Sequence, residues 1–69
     1  PAAFSLTEAL DALPRQQRIA ASLYYVEQLS IAEVAYAMEL SEGAVKYHLH
    51  HARGALRPLL ADAVTGDDS

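Results

Sequence analysis

Residues 41–57 contain all three histidines of the chain, its one lysine and two of its four arginines. An apolar residue recurs there every three to four positions, which is the spacing of the buried face of a helix; the four are Val45, Leu49, Ala52 and Leu56. Donor side chains that fall off this face are predicted to point outward, namely Lys46, Tyr47, His50 and His51. Lysine, tyrosine and histidine at the start of an exposed helix suit contact with base edges, which the first turns can reach.

The ends of the same helix favour contact with phosphate. Ser41 precedes the predicted helix, and a helix N-terminus offers free N–H groups and a partial positive charge to an anion. Arg53 and Arg57 lie further along, where they are expected to contact backbone phosphates.

Metal and catalytic chemistry fit these residues less well. His48 and His51 are three residues apart, but no cysteine or nearby carboxylate completes a metal site with them. Glu27 and Glu33 could form a catalytic pair, yet Glu33 is better explained by helix capping, and no nucleophile or glycine-rich phosphate loop accompanies it. We therefore expect no metal, no cofactor and no enzymatic activity.

Length and composition restrict the class of protein. With 69 residues, only one hydrophobic core can form. The chain has no cysteine, so disulfides are excluded, and no apolar run approaches the roughly 20 residues that span a bilayer. It begins without methionine and without a signal-peptide pattern. These features predict a single cytoplasmic domain (1–69), part of a longer protein, with no membrane contact.

The formal net charge of −4 argues weakly against nucleic-acid binding, because DNA-binding domains are usually basic. The charges are unevenly distributed, however. Residues 15–57 hold five cations and four acidic residues, which gives this stretch a net charge of +1. Charge alone therefore does not exclude DNA as a partner.

Four helices are predicted and no strand, which makes the fold class all-α. Their expected ranges are 5–13, 14–27, 30–39 and 41–57, with a frayed tail at 64–69. Ser5 with Glu8, and Ser30 with Glu33, have the spacing of capping boxes. Pro14 is expected to end the first helix and begin the second, and Pro58 to kink or end the fourth.

Apolar spacing predicts which side of each helix is buried. Ile19, Leu23 and Val26 would form the buried stripe of the second helix. Ile31, Val34, Ala35 and Met38 would form that of the third. The third and fourth helices are separated only by residues 39–41, which is the spacing of a helix-turn-helix.

Specific motifs resemble the C-terminal, region 4 domain of bacterial sigma factors. They are Leu13-Pro14, Arg18, the run at 25–30 (YVEQLS), Glu33-Val34-Ala35, the run at 41–46 (SEGAVK), Ala52-Arg53 and Leu56-Arg57. They occur in the right order over about Leu6 to Leu60. The likeness is strongest to the extracytoplasmic-function group.

The resemblance implies that the fourth helix reads the −35 promoter element in the major groove. It implies that Lys46 contacts bases or phosphates, with Tyr47, His50 and His51 at neighbouring groove-facing positions. Arg53 and Arg18 match basic residues of the family. Gly43 matches a glycine beside the N-cap, where a side chain would hinder approach to DNA. The implied partners are promoter DNA, the β flap of the RNA polymerase core and, in some members, an anti-sigma factor.

Several positions depart from the family pattern. Glu39 stands where glycine commonly ends the third helix in a left-handed conformation, at a steric cost. Tyr24, His48 and His51 stand where arginines are common, and Tyr47 replaces a small hydroxyl residue. Because these changes remove fixed positive charge, we expect weak DNA binding by the domain alone. Other promoter-binding parts of the polymerase would compensate by linkage.

Two alternatives remain open. The domain could be a degenerate helix-turn-helix that binds proteins, or the effector domain of a response regulator. Tyr24, Tyr25 and Tyr36 fit either a core edge or a partner surface. Leu59, Leu60 and Val64 could pack on the first helix or form an exposed apolar strip for a partner.

Overall fold

The computed structural model describes residues 5–59, and within this range it is all-helical, as predicted. The helices are α1 (Leu6–Asp11), α2 (Arg15–Ala21), α3 (Ile31–Met38) and α4 (Glu42–Leu59). A π-helical segment, Ser22–Val26, continues α2. The predicted tail at 64–69, together with Leu60 and Val64, lies outside the described residues.

Hydrogen bonds confirm the predicted helix starts. The Ser5 hydroxyl accepts from the backbone N–H of Glu8 at 3.2 Å, and the Glu8 carboxylate accepts from the N–H of Ser5 at 3.1 Å. Ser30 and Glu33 make the same reciprocal pair at 3.0 and 2.8 Å. Both capping boxes satisfy N–H groups that a helix start leaves without partners.

Helix α4 is the element against which α1, α2 and α3 all pack. Its predicted stripe is confirmed, since all four apolar residues are buried. Five of the eleven buried core residues are alanines, whose small side chains let the helix axes approach closely. The core residues are Ala9, Leu10, Leu13, Ala20, Ala21, Val34, Ala35, Val45, Leu49, Ala52 and Leu56.

The predicted stripe of the second helix is wrong at its C-terminal end. Val26 is 52% exposed, Leu23 only packs at the core edge, and Ala20 and Ala21 are the buried residues. The cause is the π-helical turn, in which the N–H of Glu27 bonds to the carbonyl of Ser22, five residues back. This wider turn changes the phase of the helix and rotates Val26 out of the core.

Pro14 and Pro58 occupy slightly different positions in their helices from those predicted. Pro14 is the N-cap of α2 and not its first helical residue. Pro58 lies inside α4, which continues to Leu59, two residues beyond the predicted end. A proline removes only one backbone hydrogen bond, and here it does so in the last described turn of a helix already held by buried Leu56.

None of the helices in residues 5–59 is long and apolar enough to cross a membrane.

Replacing Glu39 by glycine should stabilise the fold, because Glu39 ends α3 in the left-handed region, with φ 60° and ψ 44°. In this conformation a residue with a Cβ destabilises the folded state by about 1–2 kcal/mol. Glycine avoids that steric strain but loses about 0.4–1 kcal/mol of stability, because its unfolded state has more conformational freedom. We expect Glu39→Gly to raise the free energy of unfolding by about 1 kcal/mol, or Tm by about 4–8 °C.

The control is Ala37→Gly, on the exposed side of α3, which should lower stability by about 1 kcal/mol. Thermal and urea unfolding measure both variants. A Glu39→Gly protein no more stable than the parent would contradict the left-handed cap.

Candidate nucleic-acid interface

The turn between α3 and α4 is short and held by hydrogen bonds at both ends. The left-handed Glu39 directs its N–H to the carbonyls of Ala35 and Tyr36, and the N–H of Leu40 bonds to the Ala35 carbonyl at 3.0 Å. On the other side, the Ser41 hydroxyl accepts from the N–H of Ala44 at 3.0 Å, which confirms Ser41 as the cap of α4. The two helices therefore form a helix-turn-helix with a fixed crossing.

The predicted reading side chains all point away from the core. Four of these side chains are exposed: Lys46, Tyr47, His50 and His51. Val45 and Leu49, on the opposite face of the helix, are buried. All four exposed side chains lie in the N-terminal part of α4. One continuous surface of the helix thus presents an ammonium, a phenol and two imidazoles to solvent.

The aromatic side chains on this surface contact one another. The ring centroids of Tyr47 and His51, one turn apart, are 4.4 Å from each other. His48 lies 5.6 Å from Tyr47, and His50 lies 5.4 Å from His51. These contacts limit the rotamers that the rings adopt, so the surface carries a band of rings whose edges bear N–H and O–H groups.

Gly43 has no neighbour among residues 5–59 that explains the lack of a side chain. A Cβ added there would lie 3.9 Å from the Ser41 hydroxyl oxygen, an ordinary contact. The residue is exposed in the first turn of α4, two positions after Ser41. Packing within the described part of the chain therefore does not require glycine at this position.

The first turn also carries an unfavourable charge. Glu42 is exposed next to Ser41 and places a carboxylate at the helix N-terminus. This carboxylate stabilises the helix by interacting with the positive end of its dipole, but it repels a phosphate that approaches the same N–H groups. The cations further along α4 must therefore supply most of the attraction to a nucleic-acid backbone.

Sequence comparison identifies the family. The family model described as "Sigma-70, region 4" matches residues 3–56, which is most of the chain. The chain belongs to the sigma-70 region 4 family. No curated protein matches it in sequence.

Region 4 is a part of the sigma factor that takes part in promoter recognition, and the α3–α4 geometry agrees with this role. The match confirms the predicted family and gives no support to a response-regulator effector domain. It covers region 4 in general, so membership of the extracytoplasmic-function group stays a prediction.

The remaining basic residues of this region 4 occupy different surroundings. Arg53 lies on α4, and its guanidinium donates to the Tyr25 hydroxyl at 3.1 Å. Arg18 is half-buried on α2, apart from the helix that carries the other candidates. Seven of the eight predicted site residues therefore belong to α4 or its cap, and Arg18 does not.

The structure also separates the roles of the tyrosines. Tyr24 is half-buried and packs against the core, whereas Tyr36 is 88% exposed and cannot be a core residue. Tyr25, in the π-helical segment, was not a predicted site residue, although it contacts Arg53. No spacing in the sequence indicates this contact, because 28 residues separate the two side chains.

Proposed function

We propose that this region 4 domain reads the −35 promoter element by placing the N-terminal half of α4 in the major groove. One observation supports the proposal above the others. Burial of Val45 and Leu49 fixes the rotation of α4 and leaves Lys46, His50 and His51 together on its open side. The domain then acts by binding DNA, without catalysing a reaction, and its place of action is the cytoplasm.

The donors on α4 suit the acceptor groups of the major groove. Guanine presents N7 and O6 there, and a lysine ammonium bonds to this pair. A neutral imidazole donates through one ring nitrogen, and the Tyr47 ring offers an apolar face to a thymine methyl group. Lys46, Tyr47, His50 and His51 are therefore the proposed base-reading set, while Ser41 and Gly43 allow the helix end to approach the backbone.

Affinity is expected to be low for the domain alone. Each cation that neutralises a phosphate releases counterions, and this term provides most of the non-specific binding. Here α4 carries only Lys46, Arg53 and Arg57 as permanent cations, against a chain charge of −4. Linkage to RNA polymerase core would raise the local concentration of the domain at the promoter and offset this weakness.

Contact with the polymerase, at its β flap, would use a surface away from α4. Tyr36 on α3 is 88% exposed and is a candidate for this contact. An anti-sigma factor that binds there, or over α4 itself, would compete with one of these two contacts.

The proposal is tested by titrating the chain with a duplex carrying a −35 element and with the same bases scrambled, at two salt concentrations. Lys46→Ala should remove a base contact worth about 1–3 kcal/mol, and so about 5- to 150-fold in affinity for the −35 duplex. Binding to the scrambled duplex should change much less.

The matched control is Arg15→Ala, which removes one exposed positive charge from the start of α2. It should leave the preference for the −35 duplex intact. Equal binding to both duplexes, by the chain alone and when it is assembled with polymerase core, would contradict base reading and leave a protein-interaction module. If Lys46→Ala and Arg15→Ala lowered the affinity for the −35 duplex equally, Lys46 would act only as a non-specific positive charge.

A further inference from the structure

One hydrogen bond joins the helix-turn-helix to the segment that follows α2. The guanidinium Nη1 of Arg53 donates to the hydroxyl oxygen of Tyr25 at 3.1 Å. Both side chains are exposed, and Tyr25 keeps about a third of its surface open to solvent. Among residues 5–59, this is the side-chain hydrogen bond with the longest separation along the chain.

The pair presents mainly donors to its surroundings. A guanidinium has five N–H groups and no acceptor, so Arg53 has four left after bonding to Tyr25. The Tyr25 oxygen accepts from Arg53 and still has its own O–H to donate. The pair suits a ligand that has acceptors and negative charge, such as a phosphodiester. It offers that ligand several N–H groups, one O–H group and a full positive charge at one place.

The position of Arg53 on α4 favours DNA as the source of that phosphodiester. Arg53 follows Lys46 by seven residues, which is about two turns, so both lie on the same side of the helix, about 10 Å apart along its axis. Arg57 follows one turn later. Lys46 belongs to the proposed base-reading set, so a duplex in contact with it would run close to Arg53.

The local fold around Tyr25 holds its hydroxyl in place. The π-helical turn separates the roles of two adjacent tyrosines, since Tyr24 packs against the core while Tyr25 reaches α4. Their rings meet edge to face with centroids 5.0 Å apart, which supports the Tyr25 ring from the core side. Single π-helical turns occur often at functional sites.

We propose that Tyr25 and Arg53 together form a clamp for one phosphate of the promoter backbone. Arg53 supplies the charge and most of the donors. Tyr25 fixes the orientation of the guanidinium and adds its own O–H. The clamp rests on the proposed reading of DNA by α4, and it extends the DNA-binding surface beyond the helix-turn-helix to the segment after α2.

A double-mutant cycle with Tyr25→Phe and Arg53→Ala tests the clamp on the −35 duplex over a range of salt concentrations. Tyr25→Phe keeps the ring and removes only the hydroxyl, so affinity should fall about three- to tenfold with an unchanged salt slope. Arg53→Ala should reduce the affinity further and lower the salt slope by about one. In the Arg53→Ala background, Tyr25→Phe should have little additional effect.

Two further variants exclude a merely structural effect. Thr7→Val removes a hydroxyl from an exposed side chain of α1 and should leave DNA affinity unchanged. Arg53→Lys keeps the charge but loses the planar set of donors, so it should retain the salt slope while binding more weakly. Thermal unfolding of each variant confirms that the fold is kept.

Failure of the clamp can be distinguished from failure of −35 reading. A normal −35 preference and a normal Lys46→Ala effect, with Tyr25→Phe indistinguishable from the parent, would contradict the clamp alone. An equal cost of Tyr25→Phe with and without Arg53 would contradict it as well. If both substitutions spared DNA binding but weakened association with polymerase core, the pair would be a protein contact, and the proposal would be wrong.

Discussion

The structure depends on the burial of one side of α4. Val45, Leu49, Ala52 and Leu56 occupy the centre of the core, and the three other α-helices pack on the helix that carries them. Burial of each aliphatic side chain contributes about 1.5–3 kcal/mol, so a different rotation of α4 would lose most of the core. A shift by one residue turns a helix by about 100°, which would expose Val45 and bury the Lys46 ammonium. The surface offered to DNA is therefore fixed by hydrophobic packing on the opposite side of the same helix.

Charge sets the strength of binding that this surface can achieve. The chain is acidic as a whole, and on the open side of α4 the stretch from Lys46 to His51 carries a phenol and two imidazoles and no arginine. Such a surface favours hydrogen-bonded and stacking contacts over counterion release, which is the larger source of affinity. A domain of this kind works best as one contact among several in a sigma factor bound to polymerase. Its contribution would be to discriminate among sites, while the rest of the assembly supplies affinity.

Local signals in the sequence predicted the helix starts and the α4 face, because each depends on residues three or four positions apart. The Ser30–Glu33 box and the Ser41 cap follow from such spacing, and so does the exposure of Lys46. The left-handed backbone of Glu39 was expected from the family pattern. The π-helical turn was not predictable, since Ser22–Val26 has no residue type that marks it. The exposure of Val26 and the Tyr25–Arg53 contact both follow from that turn and from packing between distant segments.

Promoter reading by α4 requires that its first turn approaches DNA closely, and Gly43→Ala tests this most directly. Alanine is favoured over glycine in a helix by about 1 kcal/mol, and the added Cβ meets nothing closer than 3.9 Å among residues 5–59. The control is Thr7→Ala, at an exposed position of α1 outside the proposed DNA surface, where alanine is also the better helix former. Both variants should be more stable than the parent by thermal unfolding. Only Gly43→Ala should bind the −35 duplex more weakly, and unchanged DNA affinity in that stabilised variant would contradict the proposed approach of α4 to the promoter.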